Sequence, residues 1–266
     1  LTEPQEVVDR GKIVFAENSE QLEKLRGIRA STPAVTRVIA FDGEPDDSDA
    51  WTLNLEEVRQ LGREYLAGDP CAIDARIDGI QHDQLATIIY TSGTTGRPKG
   101  VRLRHSAWTY EGAAVASTNI LNEDDLQYLW LPLAHVFGKV LLTLPLQVGF
   151  PTAIDGRIDK IVENLAVVKP TFMGAAPRIF EKVYGRISTM MAAEGGVKAK
   201  LFGMASEVGR EVSVLREQGK NPSGMLSLKY SVTDKIIGTK IRDRFGGRIR
   251  FFISGSAALN NDIARW

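Results

Sequence analysis

Short apolar runs alternate along this chain with stretches in which apolar residues recur every three or four positions. Ile13-Val14-Phe15-Ala16 and Val38-Ile39-Ala40-Phe41 have the length and composition of buried strands. Between them, Ser19 to Arg29 sets Leu22 and Leu25 on one face, which predicts a helix. Asp42-Gly43 closes the second run, and Glu44 to Asp49 predicts an acidic loop. Asn54 followed by Glu57 has the form of a capping box. It opens a predicted helix with Val58, Leu61 and Tyr65 on one side, ended by Gly68-Asp69-Pro70. Leu85 to Tyr90 predicts a strand, β-branched in its middle. Val101 and Leu103 alternate with Arg102 and Arg104, the pattern of a half-exposed strand. Ser106 opens a helix to about Asn119.

Tyr128 to Phe150 is the most apolar stretch. Pro132, His135, Lys139 and Pro145 interrupt it, so it reads as strand, turn and buried helix rather than a membrane span. Ile161, Leu165 and Val168 mark a helix over Asp159 to Lys169, ended by Pro170. Thr171 to Gly174 predicts a short strand, and Pro177 starts a helix through Tyr184. Val208, Val212 and Leu215 mark another helix, stopped near Gly219. Ile249 to Ile253 is the last strand, running into Ser254-Gly255-Ser256. Strands alternating with helices predict an α/β fold, doubly wound, with mostly parallel sheets flanked by helices on both faces.

Composition narrows the function classes. The chain has 266 residues with 33 Lys+Arg against 33 Asp+Glu, and a zero net charge argues against nonspecific nucleic-acid binding. The single Cys71 forms no internal disulfide, which points to a reducing, cytoplasmic setting. Leu1-Thr-Glu-Pro-Gln-Glu is polar and acidic, unlike a signal peptide. The chain lacks an initial Met and stops at Trp266 just after a strand-and-turn pattern, which reads as a piece of a longer enzyme. No Cys/His spacing suggests zinc.

The chemistry concentrates in Tyr90-Thr-Ser-Gly-Thr-Thr-Gly-Arg-Pro-Lys-Gly100. Every residue from Thr91 to Gly96 is Gly, Ser or Thr. Gly93 and Gly96 let backbone N–H groups close on an anion. The hydroxyls of Thr91, Ser92, Thr94 and Thr95 add donors, and Lys99 adds a charge. The set suits a polyphosphate. It is not a Walker loop, since Pro98 stands where the second Gly is required, nor a G-x-G-x-x-G fingerprint, since Thr95 stands at its second Gly. Strand patterns on both sides weigh against a plain flexible linker.

TSGTTGRPKG resembles the phosphate-binding signature of the adenylate-forming enzymes, the superfamily of acyl-CoA synthetases, luciferases and peptide-synthetase adenylation domains. Leu131-Pro-Leu-Ala-His135-Val-Phe-Gly138 is similar to that superfamily's second motif, and Phe251-Phe-Ile-Ser-Gly255-Ser-Ala-Ala-Leu259 to its adenine-side strand and turn, with Ala258 where members often have Pro. Lys169-Pro-Thr-Phe-Met-Gly-Ala-Ala-Pro-Arg-Ile-Phe-Glu-Lys-Val-Tyr184 resembles the long-chain fatty-acid CoA ligases.

The resemblance implies that residues 1–266 are a partial AMP-binding domain, cut at both ends, from the large N-terminal domain, with the small C-terminal domain absent. It implies ATP-dependent activation of a long-chain fatty acid to an acyl-adenylate, then thioester formation with coenzyme A. The alternatives are a fatty-acyl-AMP ligase loading a carrier protein and an inactive nucleotide-binding relative. It implies that Thr91, Ser92, Gly93, Thr94, Thr95, Gly96 and Lys99 hold phosphates, that Thr91 meets Mg²⁺, and that Gly255, Ser256 and Ala257 lie along the adenine. It gives Lys99 and His135 catalytic roles, His135 as a donor to the carboxylate or α-phosphate. His82 and His105 are assigned no function, and Cys71 and Met190-Met191 are read as structural. The basic run Lys235, Lys240, Arg242, Arg244, Arg248 and Arg250 reads as a solvated face, with CoA phosphates or an anionic membrane surface as partners to consider.

Overall fold

The structure is a computed structural model that describes residues 12–43, 50–91 and 98–266. These fall into two units divided between Ala107 and Trp108. In the first, strands β1 (Ile13–Ala16), β2 (Arg37–Ala40) and β3 (Thr52–Asn54) form a parallel sheet in that order. Helix α1 (Ser19–Ile28) links β1 to β2 and is capped by the Asn18 side chain, which accepts from the Gln21 N–H at 3.2 Å. Ala16, Leu22, Val35, Val38 and Trp51 make the core. The Trp51 indole donates to the Val35 carbonyl at 3.0 Å.

The predicted capping box opens α2 (Leu55–Gly68): the Glu57 N–H donates to Asn54 Oδ1 at 2.8 Å, and the Asn54 N–H donates to Glu57 Oε2 at 2.6 Å. Its expected apolar side is not buried, with Leu61 54% and Tyr65 53% exposed. A short helix that the sequence pattern does not announce, α3 (Ala72–Asp78), follows the Asp69-Pro70 break. Strands β4 (Leu85–Thr91) and β5 (Lys99–Arg104) pair antiparallel, an exception to the parallel rule expected for the sheets. The connection over 92–98 is too short for a parallel crossover, which needs a dozen residues or more.

Helix α4 (His105–Ser117) leads into the second unit. There the chain runs through β6 (Gln127–Leu129), α5 (Val136–Val148), β7 (Thr152–Ile154), α6 (Ile161–Val168) and β8 (Phe172–Ala175). Helices α7 (Pro177–Glu194), α8 (Gly196–Glu217) and α9 (Gly224–Thr233) follow; then a π turn (Asp234–Gly238), α10 (Thr239–Arg244), β9 (Phe251–Ser254) and α11 (Asn261–Arg265). The helix opened by Pro177 continues ten residues past its expected end at Tyr184. All four strands are parallel in the order β7-β6-β8-β9.

Helices cover both faces of this sheet, as the α/β reading expects. From one face, Gly174 lies under Leu141 and Phe137 of α5. From the other, Phe252 meets Phe180 of α7 edge-on at 5.3 Å between centroids. The core holds Tyr128, Leu129, Leu141, Leu144, Phe172 and Met173, each at most 2% exposed.

The residues just before three neighbouring strands form one polar clamp. Asp125 precedes β6, Thr171 precedes β8 and Arg250 precedes β9. Arg250 donates to both Asp125 oxygens through Nη2, at 2.7 and 2.6 Å, and to Oδ1 through Nε at 3.2 Å. The Thr171 hydroxyl donates to Asp125 Oδ1 at 2.5 Å, and the Asn122 N–H donates to Oδ2 at 3.0 Å. The Asp125 side chain is 2% exposed and that of Arg250 46%. Burial alone raises the Asp125 carboxyl; Arg250, Thr171 and the Asn122 amide outweigh it and hold it below its ordinary value.

A carboxyl whose folded pKa is depressed contributes stability above its unfolded pKa, about 3.9 for Asp, and loses that contribution as pH falls through the folded value. Arg250→Met should destabilise the second unit by about 3 kcal/mol, the low end for stranding a buried charge because Arg250 is half exposed. Asp125→Asn should flatten the loss of stability below about pH 4. Urea denaturation at neutral and acidic pH reads both, and an Arg250→Met midpoint equal to the parent's would contradict the clamp.

Candidate functional site

The β4–β5 hairpin carries the first candidate group. Its register sets Thr91 opposite Lys99 and Tyr90 opposite Gly100. The structure therefore brings together the two ends of the glycine-rich segment, and Gly100 is buried in the stem. The Thr91 hydroxyl lies 3.5 Å from the Lys99 carbonyl as a long donor. Ser92, Gly93, Thr94, Thr95 and Gly96 lie outside the described residues.

The second group belongs to the other unit, where four parallel strands bring their C-terminal ends to one edge. From β6 the chain passes to β7 on one side, and from β8 to β9 on the other. The boundary between β6 and β8 is thus a switch point, the place where open α/β sheets bind ligands. His135 follows β6, and Gly255-Ser256-Ala257 follow β9.

His135 is exposed and is the N-cap of α5. Its Nδ1 accepts from the Phe137 N–H at 3.2 Å. With Nδ1 accepting, the neutral ring carries its proton on Nε2 and has that donor left for a ligand. The first turn of α5 adds the positive end of the helix dipole, which favours an anion.

The turn is held from both sides. The His135 N–H donates to the Pro132 carbonyl at 3.1 Å, and the Trp130 indole donates to the Gly174 carbonyl at 3.1 Å. A Cβ at Gly138 would collide with the Pro132 carbonyl oxygen and lie 3.1 Å from that of Leu131. Gly138 is therefore what lets α5 start directly against the 131–135 turn. Gly255 does the same beneath Phe137, where a Cβ would meet ring atoms at 3.1–3.3 Å. Ser256 holds a left-handed backbone, φ 72°, which costs a non-glycine residue about 1–2 kcal/mol. Such strain clusters at binding sites.

His135 and Ser256 line one cavity of about 510 Å³. Val115, Phe137, Val140, Leu141, Leu144 and Ile253 supply its apolar wall, and Glu111 of α4 its acidic member. Size and composition are those of a small-molecule site. Ala257 does not line this cavity. A second apolar cavity, about 390 Å³, includes Phe180, Phe245, Phe252 and Leu259. It has no imidazole in its lining.

Among the described residues, no group of three His, Cys, Asp or Glu could hold a metal. The Thr91 hydroxyl is a single oxygen donor. It fits a Mg²⁺ that arrives on phosphates and keeps most of its other ligands, and does not fit a protein-only cage.

Two members of the basic run are not a free solvated face. Arg250 is engaged in the Asp125 clamp, and Arg242 holds Asp234 through bonds of 2.6 and 2.9 Å. The Arg242 bonds keep the Asp234 carboxyl below its ordinary value. Sequence reasoning missed Gly138 as a packing residue. The signal is its place three residues after His135, in the first turn of α5, where a helix pressed on the preceding turn has no room for a side chain.

The model of a family described as AMP-binding enzyme matches residues 10–266. The chain is 30% identical over 249 residues to the long-chain-fatty-acid–CoA ligase FadD15 of Mycobacterium tuberculosis, covering 93% of this chain and 40% of that one. It is 32% identical over 269 residues to fatty acyl-CoA synthetase A of Dictyostelium discoideum, covering 98% and 38%. The chain thus spans about 40% of the length of the curated relatives it matches. Among solved structures, the A-PCP didomain of a carboxylic acid reductase from Segniliparus rugosus, in complex with AMP, overlays 98% of this chain and 35% of its own, with a TM-score of 0.56 at 20% identity. That likeness shares the fold.

Gly138→Ala tests the packing at the switch point. The overlap is with backbone, so the 131–135 turn must move, at a cost of about 1–3 kcal/mol for overpacking. The expected outcome is a lower melting temperature by circular dichroism. An unchanged melting temperature would show that α5 does not rest on that turn.

Proposed function

The chain belongs to the AMP-binding enzyme family, and from that premise we propose that it supplies the carboxylate-activating part of a long-chain fatty-acid–CoA ligase. The observation that carries this reading is the apolar cavity with an imidazole donor and a helix N-terminus at the switch point. An acid with a long apolar chain matches both parts of that lining. The names of the fatty-acid–CoA ligase relatives support coenzyme A as acceptor.

A carboxylate is a poor electrophile because its leaving group would be oxide. In the proposed first step, a carboxylate oxygen attacks the α-phosphorus of ATP, the bond to the β-phosphate oxygen breaks, and pyrophosphate leaves. In the second, the CoA thiolate attacks the acyl carbonyl carbon and AMP leaves with the bonding electrons. His135 Nε2–H donates to the carboxylate and fixes one of its oxygens for attack. The Thr91–Lys99 segment takes the β- and γ-phosphates, its ends clamped by the β4–β5 stem. The backbone at Gly255-Ser256-Ala257 lies along the adenine. A Mg²⁺ bound to the phosphates, with Thr91 as one ligand, would neutralise charge developing on the leaving pyrophosphate. The rest of the catalysis is positioning and fixed donors.

His135→Ala in the intact ligase tests the assignment. Removing one preorganised donor typically lowers a rate by about 10²–10³-fold. The expected outcome is a loss of that size in fatty-acid-dependent ATP–pyrophosphate exchange, with transfer from preformed acyl-adenylate to CoA changed much less. Equal loss in both half-reactions would make His135 a structural residue. A parent protein with no exchange at all would favour the inactive nucleotide-binding relative.

A further inference from the structure

Helix α4 turns one side toward the cavity behind His135. Glu111 and Val115 stand one turn apart on that side and both line it, and Gly112 beside them is buried. Tyr110 points away and is 74% exposed. The inward side of a helix is ordinarily apolar, yet Glu111 puts a carboxylate there, among Val115, Val140, Leu144 and Ile253. Glu111 is partly buried, and its side chain has no ion pair or hydrogen bond among the described residues. Asp125, Asp155 and Asp234 of the same unit are each held by an arginine.

Gly112 fixes where along the cavity this carboxylate stands. A Cβ on Gly112 would lie 3.3 Å from Gln147 Cβ, so α4 crosses α5 in the last turn of α5. His135 caps the other end of that helix. At 1.5 Å per residue, the step from His135 to Gln147 is about 18 Å along the axis. The imidazole donor and the carboxylate acceptor thus stand toward opposite ends of α5, with an apolar wall between them.

We propose that Glu111 is a specificity-determining residue that accepts a hydrogen bond from a hydroxyl on the acyl chain, remote from the reacting carboxylate. The substrate class is then a hydroxylated fatty acid. A plain alkyl chain filling the cavity would take water from Glu111 and return nothing, which is costly for a charged acceptor. A hydroxyl restores the lost bond. An ammonium would pair as well, but it would have to carry a full charge past the apolar wall, at a far higher desolvation cost than a hydroxyl. A site built to bond a substrate hydroxyl also sorts acids more sharply than an apolar pocket sorts them by methylene count. The inference rests on the proposed activation of a fatty acid in this cavity and narrows its substrate.

The test compares terminally hydroxylated acids with unsubstituted acids of equal length, from medium to long chains, on the intact protein. Two readouts are taken: ATP–pyrophosphate exchange, and displacement of a bound fluorescent fatty acid, which needs neither ATP nor turnover. At the chain length that reaches Glu111, the hydroxy acid should be favoured about tenfold to a hundredfold, the range for a hydrogen bond to a charged group. Glu111→Gln keeps the shape and an oxygen acceptor without the charge, and should retain a smaller preference. Glu111→Leu should abolish the preference and improve the unsubstituted acids. A merely structural Glu111 would instead lower both classes of acid alike in both variants. No preference for the hydroxy acid at any length, or an undiminished preference in Glu111→Leu, would overturn the proposal. Exchange without a hydroxyl preference would overturn it and leave the ligase reading standing. A Glu111-dependent preference in displacement without any exchange would do the reverse, and neither displacement nor exchange with any acid would overturn both.

Discussion

The second unit depends on how closely α5 approaches its sheet and the turn before it. Three glycines set that distance. Gly174 on β8 and Gly255 after β9 lie under Phe137 and Leu141, and Gly138 faces the carbonyls of Leu131 and Pro132. Cores are packed without spare volume, so a methyl at any of the three displaces the helix or its neighbours. Because α5 sits this close, its N-cap His135 stands at the switch point between β6 and β8. The same approach forms the apolar cavity behind it from Phe137, Val140, Leu141 and Leu144.

The two edges of the parallel sheet have divided tasks. At the N-terminal edge, Asp125, Thr171 and Arg250 tie the entries of β6, β8 and β9 into one hydrogen-bonded group. At the C-terminal edge the exits of the same strands carry His135 and Ser256. The N-terminal clamp fixes the strands relative to one another, so the left-handed turn at Ser256 is borne by a rigid frame. In the first unit, the antiparallel β4–β5 stem does similar work for the glycine-rich segment by holding Thr91 opposite Lys99.

Local features were legible in the chain. The strands at Ile13 and Leu85, the capping box at Asn54 and Glu57, and the strand, turn and helix across Tyr128 to Phe150 follow from short-range periodicity and caps, although the first strand, read as buried, leaves Ile13 55% and Phe15 56% exposed. Two of the motifs that resemble adenylate-forming enzymes carry His135 and Ser256, which line one cavity. What escaped depends on distance in sequence. Arg250 reads as one of a row of surface cations because its partner Asp125 is 125 residues away. The packing role of Gly138 depends on the path of the preceding turn, which no period encodes. Leu61 and Tyr65 form an apolar side by spacing yet remain exposed, since periodicity marks a face and not what covers it.

The central claim is that the cavity behind His135 receives the acyl group with its carboxyl carbon at the imidazole. A crystal structure of the intact protein with a nonhydrolysable long-chain acyl-adenylate analogue measures this directly. The account predicts the acyl carbonyl within hydrogen-bond distance of His135 Nε2 and the chain along Phe137, Val140 and Leu144, with the adenine beside Gly255-Ser256-Ala257. An acyl chain lodged instead in the cavity between Phe180, Phe245 and Phe252, on the other face of β9, would contradict it.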